Sequence, residues 1–470
     1  MPSDDLRVLL HAIADYAADR RSQDGARWHS PTDSYEAQVA KFALGDLDDT
    51  LSLEGTIGDL MSRAEPGLAA CTGPRFFGWV IGGCHPAGLA ADWLTGLWHQ
   101  NAGNHRGMPA ASAAEETSAR ALLELMDLPR EASVGFVTGA TMANFTGLAA
   151  ARGEVLRRVG WDVEGDGLFG APTINVIMGD QAHTTVFAAL KFLGLGDKRV
   201  TAIPTDANGA MRSDAVQAAI RTAKGPAIVI AQAGHINSGA FDPFEAIVAA
   251  ARETGAWVHV DGAFGLWARA APSLAHLAAG VDGADSWAVD GHKWLQTPYD
   301  CGYAIVRDRA AHRRAMVIAA SYLPGADDGG RNPSDYAPEL SRRARGFATW
   351  AIIRHLGRDG IIKMVEHGCA MAQRLADRLS AEPDITVLND VVLNQLAVRL
   401  GSDLSPEEAD RLTKLAIARV QADGGCFVGG AQWRGAWIVR VSISGYATTA
   451  ADIDASAEAI IHAWRAVKED

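Results

Sequence analysis

From about Ser112 onward the chain alternates short apolar runs with alanine-rich stretches of helical periodicity. The runs are Ser133 to Val137, Ile174 to Met178, Arg199 to Ile203, Ala227 to Ala231, Trp257 to Val260, Ser286 to Val289 and Gly302 to Val306. Short strands of this kind separated by helices are the sequence form of a mostly parallel sheet covered on both faces. An α/β unit of seven strands is therefore expected, and everything else must be arranged around it.

The segments on either side read differently. Asp5 to Arg20 and Ser34 to Leu44 have helical periodicity, and Phe76 to Gln100 is rich in aromatics and glycine, so this part has little core of its own. After a glycine- and aspartate-rich stretch from Gly325 to Asp335, a long helical region begins near Leu340. Ile385 to Leu388, Gln395 to Leu400, a helix from Pro406 to Ala422, and Trp437 to Ile443 complete an αββαβα pattern, read as a smaller α+β lobe. The division expected is 1–105 for an N-terminal helical segment, 106–340 for the large domain and 341–470 for the C-terminal domain.

The net charge of −13 argues against nucleic acid and anionic membrane as partners and favours small-molecule chemistry. Asp4 and Asp5 stand where a secretory signal would carry Lys or Arg, and no apolar run approaches a bilayer span, so a cytoplasmic protein is expected. Five cysteines without a CxxC pair argue against a disulfide framework and against a zinc site. Cys301 reads as a small buried thiol.

In an open α/β sheet, ligands sit at the carboxyl ends of the strands, so polar residues directly after the apolar runs are the ones to inspect. Gly135-Phe-Val-Thr-Gly-Ala140-Thr141 opens a helix and can cup a phosphate on free N–H groups, although a plain helix cap explains it as well. His183 follows the run ending at Met178; alone it reads as a satisfied structural histidine. Trp257-Val-His-Val-Asp261-Gly-Ala263 ends in a carboxylate that can pair with a protonated pyridine nitrogen, and Ala263 is small enough to let a ring lie flat. Lys293 sits just past the run ending at Val289, among Trp287, Trp294 and Leu295. Desolvation there would make its amine nucleophilic toward an aldehyde; alternatively its stem packs on Trp294 while its head reaches water. All four places follow strands of one sheet, and together they describe a phosphate cup, a stacking imidazole, a pyridinium partner and a Schiff-base lysine.

Asp290-Gly-His-Lys-Trp-Leu295 followed by Tyr299-Asp-Cys301 resembles the lysine motif of the group II pyridoxal-phosphate decarboxylases, which include aromatic amino acid, histidine and glutamate decarboxylases. Pro74-Arg-Phe-Phe77, Asp180-Gln-Ala-His183, Gly239-Ala-Phe-Asp242, Ser341-Arg-Arg-Ala-Arg345 and Arg440-Val-Ser-Ile-Ser444 resemble family segments in the family order. The resemblance implies a fold-type-I homodimer with an N-terminal segment wrapping the partner and active sites at the subunit interface. It implies pyridoxal 5′-phosphate on Lys293, Asp261 at the ring nitrogen, His183 stacked on the ring, and Ala140, Thr141 and His292 at the phosphate. Asp290 stands where several family members have asparagine, an awkward place for an acid beside a phosphate.

The activity implied is decarboxylation of an L-amino acid to amine and carbon dioxide. In the family a tyrosine on a mobile loop returns a proton to the α-carbon; Tyr322 and Tyr336 are the candidates here, and Tyr336 is favoured. Phe76, Phe77 and Trp79 match positions that line an apolar substrate pocket, and Arg440 matches an arginine near the substrate carboxylate in glutamate decarboxylases. Aldehyde-forming oxidative decarboxylation, transamination on the same scaffold, or an inactive regulatory partner are the competing readings.

Overall fold

The structure is a computed structural model that describes residues 3–27, 29–48, 50–318 and 330–469. Seven strands form the large sheet: β1 (Ser133–Val137), β2 (Asn175–Gly179), β3 (Val200–Ile203), β4 (Ala227–Gln232), β5 (Trp257–Asp261), β6 (Ser286–Asp290) and β7 (Gly302–Val306). Their order across the sheet is β1-β7-β6-β5-β4-β2-β3, and only β7 runs antiparallel to its neighbours. The apolar runs thus form a mostly parallel α/β sheet, as their spacing predicts. β1, β5, β6 and β7 are buried along their whole length because helices cover both faces, which is why they read as continuous apolar runs. Helix Ala140–Arg157 supplies much of that cover, with Leu148, Ala149, Ala150, Ala151 and Val155 in the core beside Ile228, Ile230 and Trp257.

Trp257, Trp267, Trp287 and Trp294 are fully buried around this sheet. A buried indole N–H usually finds an acceptor. Trp267 Nε1 donates to the Asp290 carbonyl at 3.0 Å, and Trp287 Nε1 to the Val281 carbonyl at 2.9 Å.

A second sheet of four strands, in the order β10-β11-β9-β8, is made of β8 (Ile385–Val387), β9 (Gln395–Leu400), β10 (Gly429–Trp433) and β11 (Ala436–Ser442). β10 is absent from the sequence reading. Its Gly-Gly-Ala-Gln-Trp run lacks the apolar alternation of a strand and forms because Arg434 (φ 51°) and Gly435 (φ 80°) close a two-residue hairpin onto β11. The long helix begins at Gly346 rather than near Leu340 and breaks at Gly357, which takes φ 61°.

The chain divides into two compact units, one of Met1–Ile81, Arg374–Val387 and Val398–Asp470, the other of Gly82–Gln373 and Leu388–Ala397. Among the described residues no helix is long and apolar enough to cross a membrane.

Candidate active site

β1, β2, β4, β5 and β6 run in one direction, so the segments that follow them leave the same edge of the sheet. There they line a cleft of about 260 Å³, with Ala140, Thr141, His183, Asp261, Ala263, Asp290, His292 and Lys293 all in its wall. Thr138, Gly139, Thr185, Gln232, Gly234, Ile236 and Phe264 complete it. Of these, Thr138 and Gly139 lie in the run Gly135 to Thr141 read as a phosphate cup, and Gln232 was legible by the same rule that found Asp261, since it ends β4; the remaining loop residues carry no sequence signal of their own.

Lys293 lies on a π-helical turn, Gly291–Leu295, directly after β6. Such turns aim one side chain away from the regular helical path and recur at functional sites. Its Nζ is 3.0 Å from Asp290 Oδ2 and 5.8 Å from the centre of the Phe264 ring. Asp290 is buried, and its Oδ1 accepts the Ala140 N–H at 2.6 Å. The same oxygen is 3.4 Å from His292 Nε2. Burial holds His292 below the ordinary histidine range in spite of Asp290, so its imidazole is largely neutral near pH 7. Its Nδ1 accepts the Cys301 N–H at 3.2 Å and its ring stacks on Tyr299 at 4.3 Å, which fixes both nitrogens.

The helix start at Ala140 is built for close approach. A Cβ on Gly139 would come within 2.8 Å of His292, and one on Gly302 within 2.5 Å of the Gly139 backbone. Only glycine lets this turn sit against both, and the first N–H groups of helix Ala140–Arg157 have no intrahelical partner. Across the cleft, Asp261 is 4% exposed, with Oδ1 accepting the Ala263 N–H at 3.2 Å and Oδ2 accepting from Asn144 Nδ2 at 3.2 Å. His183 caps helix Thr184–Phe192, its Nδ1 2.8 Å from Thr185 Oγ1. An amine, a carboxylate at a strand end, an imidazole and a helix start facing one cleft fit pyridoxal phosphate, which needs each of these partners.

Tyr336 is not part of this wall. It is buried at the end of a 3₁₀ turn, Pro333–Tyr336, edge-on to His312 at 5.2 Å and beneath the Arg331 guanidinium at 4.6 Å. Its carbonyl also accepts from His312 Nε2 at 3.1 Å. Tyr322 lies outside the described residues. Phe76, Phe77, Trp79 and Arg440 belong to the other unit. There Phe76 stacks on Phe427 at 4.5 Å, Trp79 tilts against the same ring at 5.1 Å, and Phe77 is fully buried. Trp79 and Val80 take φ of 52° and 61°, a conformation that costs a β-branched residue of order 1–3 kcal/mol. Arg440 lies on β11, where burial pulls its guanidinium below the usual range.

A family model for the pyridoxal-dependent decarboxylase conserved domain matches residues 44–401. The chain is 27% identical over 478 residues to tryptophan decarboxylase 1 of Oryza sativa subsp. japonica, covering 94% of this chain and 90% of that protein. It is 26% identical over 449 residues to 4-hydroxyphenylacetaldehyde synthase of Rhodiola rosea, covering 91% and 88%. In three dimensions it superposes on the crystal structure of Oryza sativa TDC with PLP and tryptamine with a TM-score of 0.92 at 23% sequence identity, over 99% of each chain, which shows the shared fold. The chain belongs to the pyridoxal-dependent decarboxylase family, carboxy-lyases that work on pyridoxal 5′-phosphate.

Proposed function

We propose that this protein decarboxylates an aromatic or other apolar L-amino acid to its amine and carbon dioxide. The observation that carries the reading is the convergence of Lys293, Asp261, His183 and the Ala140 helix start on one cleft. The choice of side chain is supported by two relatives, a tryptophan decarboxylase and an aromatic-L-amino-acid decarboxylase of Bacillus atrophaeus, the latter 27% identical over 367 residues.

When bound, pyridoxal phosphate supplies an electron-withdrawing ring that takes up the electron pair left by a departing carboxylate. In this reading Lys293 would offer its amine to the cofactor aldehyde, with Asp290 Oδ2 3.0 Å away to orient it. Asp261 would accept the ring N–H, His183 and Ala263 would face the ring, and Ala140, Thr141 and His292 would hold the phosphate. A homodimer is part of the reading, and exposed apolar surface supports it. Helices Tyr35–Lys41 and Leu53–Ala64 bury no residue, and Leu94, Leu97, Trp98 and Trp350 stand open to solvent on the other unit. A cytoplasmic location is proposed from sequence alone.

Incubating the purified holo-protein with a panel of L-amino acids, while following carbon dioxide, amine, aldehyde and peroxide together, tests the assignment. Equal amounts of amine and carbon dioxide from an aromatic substrate are expected. Aldehyde with peroxide in place of amine would favour the second reading, which the likeness to an aldehyde synthase supports. No carbon dioxide from any amino acid would overturn both.

A further inference from the structure

Trp257, His259 and Asp261 alternate along β5 and so face the same side of the sheet, toward helix Ala140–Arg157. His259 and Ser286 are register partners on β5 and β6. Trp257 Nε1 is 2.9 Å from Ser286 Oγ, which is 2.7 Å from His259 Nδ1. His259 Nε2 is 2.9 Å from Asn144 Oδ1, and Asn144 Nδ2 is 3.2 Å from Asp261 Oδ2. Asn144, His259 and Ser286 are fully buried.

The proton positions follow from the two ends. An indole N–H only donates and a carboxylate only accepts. Asp261 therefore turns the amide of Asn144 so that its NH₂ faces the carboxylate and its carbonyl faces His259. That carbonyl requires hydrogen on His259 Nε2. Burial keeps His259 neutral, with its pKa lowered to about 3, so Nδ1 is bare and accepts from the Ser286 hydroxyl. Ser286 in turn accepts from Trp257. Every member is satisfied in one direction only. The packing is equally specific: a Cβ on Gly147 would come within 2.7 Å of the His259 ring and 3.4 Å of Ser286 Oγ, so helix and strand meet there only through glycine.

We infer that Trp257, Ser286, His259 and Asn144 form a one-way donor chain that holds the Asp261 carboxylate aimed into the cleft, making His259 a positioning residue for the cofactor ring nitrogen. His259 touches neither cofactor nor substrate in this scheme. It acts by donating one N–H to the Asn144 carbonyl, which holds the amide in the orientation in which its NH₂ donates to Asp261. A purely structural histidine would fill space without setting the protonation of a ring beyond Asp261. The inference rests on Asp261 facing the ring nitrogen, as proposed above.

The test uses the holo-protein loaded with pyridoxal phosphate carrying ¹⁵N in the ring, whose chemical shift separates a protonated from a neutral nitrogen. His259→Phe keeps an aromatic ring but has no N–H; it is expected to move the resonance toward the neutral position and to lower kcat at least tenfold. His259→Gln, which can present an amide N–H in the same direction, is expected to recover most of the wild-type shift. Ser286→Ala removes one hydroxyl and serves if the first variant fails to load cofactor; an intermediate shift is expected. Imidazole ¹⁵N spectra of the wild-type protein are a further check, with the Nε2–H tautomer of His259 expected across pH 5 to 9. An Nδ1–H tautomer, or a ring shift unchanged in His259→Phe and Ser286→Ala, would overturn the inference. Asp261→Asn separates the two readings: if it leaves the ring shift unchanged, the placement of Asp261 itself fails, whereas a shift in Asp261→Asn alone refutes only the chain behind it.

Discussion

At Asp290 a buried carboxylate shares the helix start with the phosphate it is proposed to accompany. Its Oδ1 already takes the Ala140 N–H and its Oδ2 faces Lys293. Two anions on one helix terminus repel, and little water screens them because the group is 2% exposed. Asp290→Asn keeps an acceptor for Ala140 while removing the charge. It is expected to bind pyridoxal phosphate about tenfold more tightly, or about 1.4 kcal/mol, by equilibrium dialysis. Weaker binding would show that the hold of Asp290 on Lys293 outweighs the repulsion. The tyrosines separate just as sharply. Tyr336 is pinned between His312 and Arg331, so Tyr336→Phe is expected to leave the ratio of amine to aldehyde unchanged. Tyr322→Phe is the variant expected to divert flux toward aldehyde. A changed ratio in Tyr336→Phe would return the proton-donor role to it.

At the scale of elements, the junction between β1 and helix Ala140–Arg157 depends on β7 coming close. Gly302 begins β7 against the backbone of Gly139, with room for no side chain. Gly302→Ala is expected to push the turn off its position and weaken cofactor binding at least tenfold, read by fluorescence titration; unchanged binding would mean that the phosphate cup does not depend on this contact. Strands such as β1 and β7 were legible to the residue because both faces are buried, which leaves an uninterrupted apolar run. The polar residues that end β5 and follow β6 were legible for the complementary reason: a carboxylate or lysine next to such a run needs a partner. β10 was not, since its pairing comes from a hairpin turn rather than from its own composition. Nor were the surroundings of Tyr336: its glycine-rich neighbourhood says nothing of its contacts, which come from His312, 24 positions away, and from Arg331.

For the whole molecule, several buried groups link stability to pH, and their signs can be worked out. His259 and His312 are fully buried, and desolvation lowers each from 6.5 to about 3. Between those values the unfolded chain holds the proton and the folded one does not, so stability rises with pH through this window, by about 1.4 kcal/mol per pH unit for each histidine. Asp242 works in the opposite sense. Burial raises it from 3.8 to about 7 even though the Met211 and Gln232 N–H groups donate to it, so the folded state holds a proton that the unfolded one has released. Its contribution therefore falls as pH rises from about 4 to 7. From pH 4 to 6.5 the two histidines together outweigh Asp242, so the combined contribution of these three groups to stability rises over that range; above 6.5 the contribution of Asp242 alone is still falling. His312→Gln isolates one member of the balance. A glutamine amide can donate to the Tyr336 carbonyl, as Nε2 does, and accept from Ser133, which lies 2.9 Å from Nδ1, but it does not titrate. Over pH 6.5 to 5 the variant is expected to lose about 2 kcal/mol less stability than the wild type, measured by unfolding at matched ionic strength. Equal losses in the two proteins would show that His312 is not the neutral buried imidazole its surroundings require.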